Sequence, residues 1–207
     1  MRVLVLSGVL VLLDQLTKLL VKGINLPALG IHWEGMTYGA SQPILGDFFR
    51  LTYIENSGMA FGIDLGGKFF FSLFSLAASV AILYYLYRSR RAPLGFRISL
   101  GMILAGAVGN LIDRIFYGVL FGEGALFHGR VVDFFDVDFF DINILNYHMS
   151  RWPVFNVADA CVTIGVLLLL FFHRSTAREQ GVAPGTAPAH SRDAAPVNPE
   201  GTSGSHP

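Results

Sequence analysis

Charge is almost excluded from four stretches of this chain, each about 20 residues long. That is the length a helix needs to cross a hydrocarbon layer of about 30 Å. They run from Val3 to Val21, Phe69 to Tyr87, Leu94 to Phe116 and Pro153 to Phe172. A chain built this way is expected to fold as a membrane α-helical protein with four transmembrane helices. Of its 207 residues 53% are hydrophobic and 14% charged, against about 25% charged in a soluble domain. The net charge is zero, so there is no basic footprint for nucleic acid. The single cysteine, Cys161, excludes an intramolecular disulfide framework and a cysteine-rich metal site. The six histidines show no HExxH or comparable ligand spacing, and no metal or cofactor is expected. No internal repeat is apparent.

Arg2 before an apolar run resembles the start of a signal peptide. The run lacks an A-x-A cleavage signal, however, and Asp14 and Lys18 interrupt it, so it reads as a retained helix. Orientation follows from basic residues. The link "RSRRAPLGFR" carries Arg88, Arg90, Arg91 and Arg97, and Arg174 and Arg178 follow the fourth helix. These ends are expected to be cytoplasmic, which puts both termini inside. Residues 22–68 and 117–152 then lie outside. "DFFRLTYI", Asp47 to Ile54, alternates with Phe49, Leu51 and Tyr53 on one face, a strand pattern, and "ENSG" supplies a turn. The expectation is a small extracytoplasmic β-rich subdomain resting on the membrane. "RVVDFFDVDFFD" is too polar to span and too apolar to be free in water, and reads as an interfacial segment. Residues 1–172 form the membrane domain. Residues 173–207 are a cytoplasmic tail, with disordered composition from about Gly181.

Ionisable groups inside the spans identify the region of interest, because a carboxylate at a bilayer centre costs about 2.5 kcal/mol or more. Asp14 and Lys18 lie in the outer half of the first helix. Asn110, Asp113 and Arg114 lie at the outer end of the third, and Asn156 and Asp159 within the first two turns of the fourth. The second helix contributes none. At about 1.5 Å per residue, all fall within roughly 10 Å of the outer boundary. Spacings of three or four residues give each helix one compact polar patch. Gluing helices together, or snorkelling at a helix end, is the plainer explanation for Asp14–Lys18 and for Arg114. It is weaker for Asp159, which has no basic residue within one turn.

Two carboxylates sharing one proton can hydrolyse a peptide bond. One takes a proton from water while the other polarises the scissile carbonyl. Partners for Asp159 are available in Asp133, Asp136, Asp138 and Asp141, and in Asp113, and spacing does not choose among them. A solvated alternating face, with Phe in the interface, accounts for most of the aspartates in "DFFDVDFFD". A calcium loop would want Gly at its turn and a terminal Glu, and neither is present. Cys161, on another helical face from Asp159, reads as packing.

"DQLTK", "ENSGMAFG", "GAVGNLIDR", "RVVDFF" and "FNVADA" occur in that order. Together they resemble the blocks of the bacterial lipoprotein signal peptidases (signal peptidase type II, prolipoprotein signal peptidase) over about residues 1–172. The resemblance implies an aspartic endopeptidase, in the bacterial cytoplasmic membrane, that cuts just before the diacylglyceryl-modified cysteine of a prolipoprotein. It implies Asp133 and Asp159 as the catalytic aspartates. Asn56 and Gly58 would lie in an outer loop over the substrate, and Asn110, Asp113 and Arg114 would line the pocket. Asn156 would orient Asp159 or the substrate backbone, with Asp14 and Lys18 in support. The lipid-modified signal peptide, membrane lipids and globomycin-type cyclic peptide inhibitors are the implied partners, and a monomer is expected. The chain departs from the family in carrying Met59 where a small residue or alanine is usual. The stretches from Arg114 to Asp133 and from Asp133 to Trp152 are also longer. A reading from another class is a small ion-coupled transporter using Asp14, Lys18, Asp113 and Arg114. It would be expected to place polar groups near the midplane, often with repeats. An intramembrane phosphatase using Arg114 would favour more basic and histidine residues.

Overall fold

The structure is a computed structural model that describes residues 2–58, 67–138, 142–144, 147–149 and 151–181. Its helices are α1 (Arg2–Lys22), α2 (Gly67–Arg88), α3 (Leu94–Ile112), the short α4 (Gly118–Leu120) and α5 (Val157–Gly181). A five-residue π-helical turn, Asp113–Tyr117, joins α3 to α4. The strands are β1 (Ile24–Leu26), β2 (Ile31–Trp33), β3 (Ser41–Leu45), β4 (Phe49–Asn56), β5 (Val131–Val137), β6 (Ile142–Ile144) and β7 (Tyr147–Met149).

Helix α3 is the hub of the bundle. With lipid as solvent, helices gain little from burying leucine against leucine, so close backbone approach at small residues holds them together. A side chain at Gly106 would collide with Ala158 O and Val162, and one at Gly165 would come within 2.9 Å of Ser99 O. Ser7 Oγ on α1 donates to Gly101 O on α3 at 2.7 Å. These contacts make α1 parallel and α5 antiparallel to α3. The outward faces carry exposed apolar side chains, among them Leu12, Leu16 and Leu20 on α1, Phe74 and Val80 on α2, and Leu167 and Phe171 on α5. Among the described residues Arg2–Lys22, Phe69–Arg88 and Leu94–Leu120 are long and apolar enough to cross a membrane, and Val157–Phe172 is a shorter apolar helix.

A three-stranded antiparallel sheet, in the order β3-β4-β5, caps the bundle at the end away from Arg88–Arg97. Ile54 pairs with Asp133, and a register shift between Leu51 and Ile54 puts an extra residue in β4. The free edge of β5 is taken by the segment that leads into α5. Phe135 N–H donates to Phe155 O at 2.7 Å and Phe155 N–H to Phe135 O at 3.0 Å. Two-stranded ladders β1-β2 and β6-β7 complete the strands.

Several boundaries and placements differ from the sequence reading. Residues 153–156, assigned to the fourth helix on apolarity, are not helical. Phe155 is committed to β5 and Asn156 caps α5, which runs on to Gly181. The strand expected over Asp47–Ile54 is shifted to Phe49–Asn56, because Asp47 sits in the preceding turn. The segment read as interfacial is a strand of the sheet. β5 has β4 on one edge and Phe155 on the other, and side chains on both of its faces are buried along nearly its whole length. Asp133 and Asp136 are therefore buried rather than solvated. Asp141, Met59 and the tail beyond Gly181 lie outside the described residues.

Candidate active site

Helix α5 begins in the middle of the polar cluster, and its first N–H groups organise it. Asn156 is the cap residue. Its Oδ1 accepts from Asp159 N–H at 2.9 Å, and Asp159 Oδ2 accepts from Asn156 N–H at 3.3 Å. This reciprocal pair is a capping box with an amide and a carboxylate. A second N–H, that of Ala158, donates to Asp14 Oδ1 of α1 at 2.8 Å. An anion suits this position, because the N-terminus of a helix carries partial positive charge.

Asp133 reaches the same place from the sheet. The Phe135–Phe155 pairing sets β5 beside the start of α5. Asn156 Nδ2 then donates to Asp133 Oδ1 at 2.6 Å and lies 3.1 Å from Asn110 Oδ1. Asn110 Nδ2 in turn donates to Asp159 Oδ1 at 2.8 Å. One amide from α3 and one from the α5 cap thus bridge the two carboxylates. Asp133 and Asn156 are buried, whereas Asp159 is half-buried. Asp159 also lines a cavity of about 500 Å³ with Trp152, Phe155, Thr163 and Ile164. Burial and the neighbouring charge of Asp159 push the Asp133 carboxyl up to about 8.

Lys18 supports this layer. It is fully buried, and its ammonium meets Asp14 Oδ2 at 2.9 Å, Asp113 Oδ2 at 2.8 Å and Asn110 Oδ1 at 2.8 Å. All three donors of the ammonium are used, as a charge buried this deeply requires. Asp113 Oδ2 also accepts Val132 N–H at 3.3 Å, which fixes the π-helical turn after α3 to the residue before Asp133. Gly109 leaves room for this layer, since a Cβ there would sit 2.6 Å from Asp14 Oδ2.

The structure thus gathers Asp14, Lys18, Asn110, Asp113, Asp133, Asn156 and Asp159. Arg114 interacts electrostatically with Asp113, Asp159 and Asp133 and lies 3.4 Å from Ser75 Oγ. Helix α2, expected to offer nothing polar, thus supplies a hydroxyl. Asn56 and Gly58 are engaged with each other. Gly58 N–H donates to Asn56 Oδ1 at 2.9 Å in a turn where Gly58 takes φ +103° and has Phe71 against its α-carbon.

Asp136 faces the other way. Three residues along a strand reverse the face. Thr52 Oγ1 donates to Asp136 Oδ2 at 2.7 Å and Arg151 Nε to Oδ1 at 2.7 Å. Burial opposes its ionisation, but these bonds outweigh it and hold Asp136 below the usual carboxylate range. Asp138 lies 3.3 Å from Arg151 Nη1.

Sequence reasoning missed Gln15. Its amide nitrogen lies 2.9 Å from Asp113 Oδ1 and 3.1 Å from Asp14 Oδ2, and its Oε1 accepts from Tyr117 Oη at 3.1 Å. A lone amide in an apolar helix next to Asp14 was the available signal. It also missed a second polar knot, where Lys22 joins Glu55, Glu123 (2.6 Å) and the Phe121 ring (4.5 Å). Its members come from three separate segments, so no local pattern marks it.

Comparison with known proteins gives the chain a family. Residues 6–174 match the family described as signal peptidase (SPase) II. A lipoprotein signal peptidase of Porphyromonas gingivalis is 36% identical over 194 residues, covering 81% of this chain and 80% of that protein. That of Chlorobium phaeobacteroides is 32% identical over 181 residues, covering 87% and 95%. That of Syntrophus aciditrophicus is 38% identical over 172 residues, covering 81% and 88%. A bacterial membrane enzyme solved at 2.3 Å by the in meso method superposes with a TM-score of 0.64 at 28% identity, covering 86% of this chain and 91% of that one.

Proposed function

The chain belongs to the signal peptidase II family, and from that premise we propose that Asp133 and Asp159 are its catalytic pair. It is a multi-pass membrane aspartic peptidase that removes the signal peptide from prolipoproteins. The carrier reading falls with that membership. The observation that carries the proposal is the amide bridge. Asn156 and Asn110 hold a buried carboxyl, Asp133, beside a carboxylate, Asp159, that opens onto a cavity.

The roles follow from surroundings. Asp159 sits in the first turn of α5, accepts from Asn110 Nδ2 and Asn156 N–H, and opens onto the cavity, which suits it to meet the attacking water. Asp133 is pushed up by burial and by Asp159, so it holds the proton near neutral pH. In the proposed reaction Asp159 takes a proton from water, and the hydroxyl oxygen bonds to the scissile carbonyl carbon. Asp133 gives its proton to the carbonyl oxygen, forming a gem-diol. Collapse breaks the C–N bond. The proton on Asp159 goes to the leaving amine, and a diol proton returns to Asp133. Asn110 and Asn156 hold both groups in place. Asp14, Lys18 and Asp113 set the helix positions beneath them, and Arg114 lies in the field of the carboxylates. Asn56 and Gly58 shape a turn at the edge of the site.

The proposed topology has four spans, α5 being the fourth, with residues 1–172 as the peptidase domain. Both termini and Arg88–Arg97 are cytoplasmic, and the site lies near the outer face of the cytoplasmic membrane. A signal peptide enters with its basic end inside, so its cleavage point arrives at that depth, just before the diacylglyceryl-modified cysteine. Globomycin-type peptides would occupy the cavity at Asp159. The test is cleavage of a diacylglyceryl prolipoprotein by the purified protein, with the products weighed. The expected product begins at the lipid-modified cysteine, and a chelator leaves the rate unchanged. Cleavage at another bond, or inhibition reversed by added metal, would contradict the proposal.

A further inference from the structure

At the far end of the bundle from the aspartates, α1 and α2 leave a groove of about 720 Å³. Its walls are Val3 and Leu4 of α1 and Val80, Leu83 and Leu86 of α2. Three arginines, Arg90, Arg91 and Arg97, also line it. Among the described residues no acidic side chain lines it. Arg97 Nη1 donates to Arg90 O at 2.7 Å, and the Arg90 guanidinium lies 5.1 Å from the Tyr87 ring centroid. Arg97 Nε is buried and has no hydrogen-bond acceptor among the described residues. A buried N–H of a charged group without an acceptor is costly. An apolar trough lined at one end by three cations is complementary to a molecule with a long chain and an anionic head.

We propose that this groove holds one anionic phospholipid, with an acyl chain along Val80 and Leu83 and its phosphate among Arg90, Arg91 and Arg97. Basic pockets between membrane helices recognise lipid head groups in this way. A signal peptide is a poorer occupant, because its basic end would meet three arginines. The site is separate from Asp133 and Asp159 and does not depend on their roles.

The test is native mass spectrometry of the purified full-length protein in detergent. The probes are phosphatidylglycerol, phosphatidylcholine with the same chains, and glycerol phosphate. Phosphatidylglycerol is expected to bind about tenfold or more tighter than phosphatidylcholine, with about a fivefold loss for each arginine replaced in R91Q and in the R91Q/R97Q pair. L83W, which fills the trough, is expected to displace the lipid and leave prolipoprotein cleavage intact. Equal retention of the two lipids would overturn the proposal. So would competition by glycerol phosphate as effective as by the lipid, or undiminished binding to R91Q and L83W.

Discussion

Asn156 concentrates the site in one side chain. Its Oδ1 caps α5 and its Nδ2 holds Asp133. Removing the cap costs about 1 kcal/mol, and releasing Asp133 removes the alignment needed for proton transfer, worth about 100-fold or more. Asn156→Ala is therefore expected to lower both Tm and kcat with KM little changed. Asn156→Ser is expected to recover Tm but not kcat, and recovery of both would reduce Asn156 to a cap. The raised Asp133 carboxyl, about 8 against 3.8 for a free group, sets the pH dependence. Turnover needs its acid form, so activity should fall as pH rises through about 8. Between about pH 4 and pH 8 the native protein binds one more proton at Asp133 than the unfolded chain does. That group's contribution to stability is thus full at acid pH and is lost as pH climbs to 8. Removing the neighbouring charge with Asp159→Asn should lower the pH at which the Asp133 carboxyl band titrates in infrared spectra. An unchanged band would mean the two groups do not interact. Asp159, Asp14 and Lys18 were legible in the sequence because charge stands out in an apolar run. Asp133 was not separable from Asp136 by spacing. What each face of β5 meets depends on pairing with β4 and with Phe155, which only the folded chain supplies, and the family blocks filled that gap.

At the scale of elements, small residues and caps decide how α1, α3 and α5 meet. A side chain at Gly106 would enter the α5 backbone, whereas Gly8 has open space around it. Gly106→Leu should destabilise by about 3 kcal/mol or more and abolish cleavage by separating Asn110 from Asp159. Gly8→Ala should lie within about 0.5 kcal/mol of the parent, and thermal unfolding in detergent reads both. The helices were legible as elements because apolar length is a strong signal. The start of α5 was blurred because Pro153, Val154 and Phe155 are as apolar as the helix they precede, although Asn156 with Asp159 three residues on is a cap signature. β5 was misplaced for the converse reason. A strand buried on both faces shows no clean alternation, and its aspartates suggested water.

Across the described residues, the buried carboxylates are gathered at one end of the bundle, and Arg88, Arg90, Arg91 and Arg97 lie at the other. Lys18 pairs with Asp14 and Asp113 beneath the proposed pair. Arg114 lies in the field of Asp113, Asp133 and Asp159. Asp136 belongs to a separate network with Thr52 and Arg151 on the other face of β5, so Asp136→Asn should tax stability and spare the chemistry. The most direct measurement is the rate of diacylglyceryl prolipoprotein cleavage by purified Asp133→Asn, Asp159→Asn and Asp136→Asn proteins, each checked for parental folding by circular dichroism. Loss of turnover in the first two, with substantial activity in the third, is the predicted result. Near-normal cleavage by either of the first two, or complete loss only in the third, would contradict the assignment of Asp133 and Asp159 as the catalytic pair.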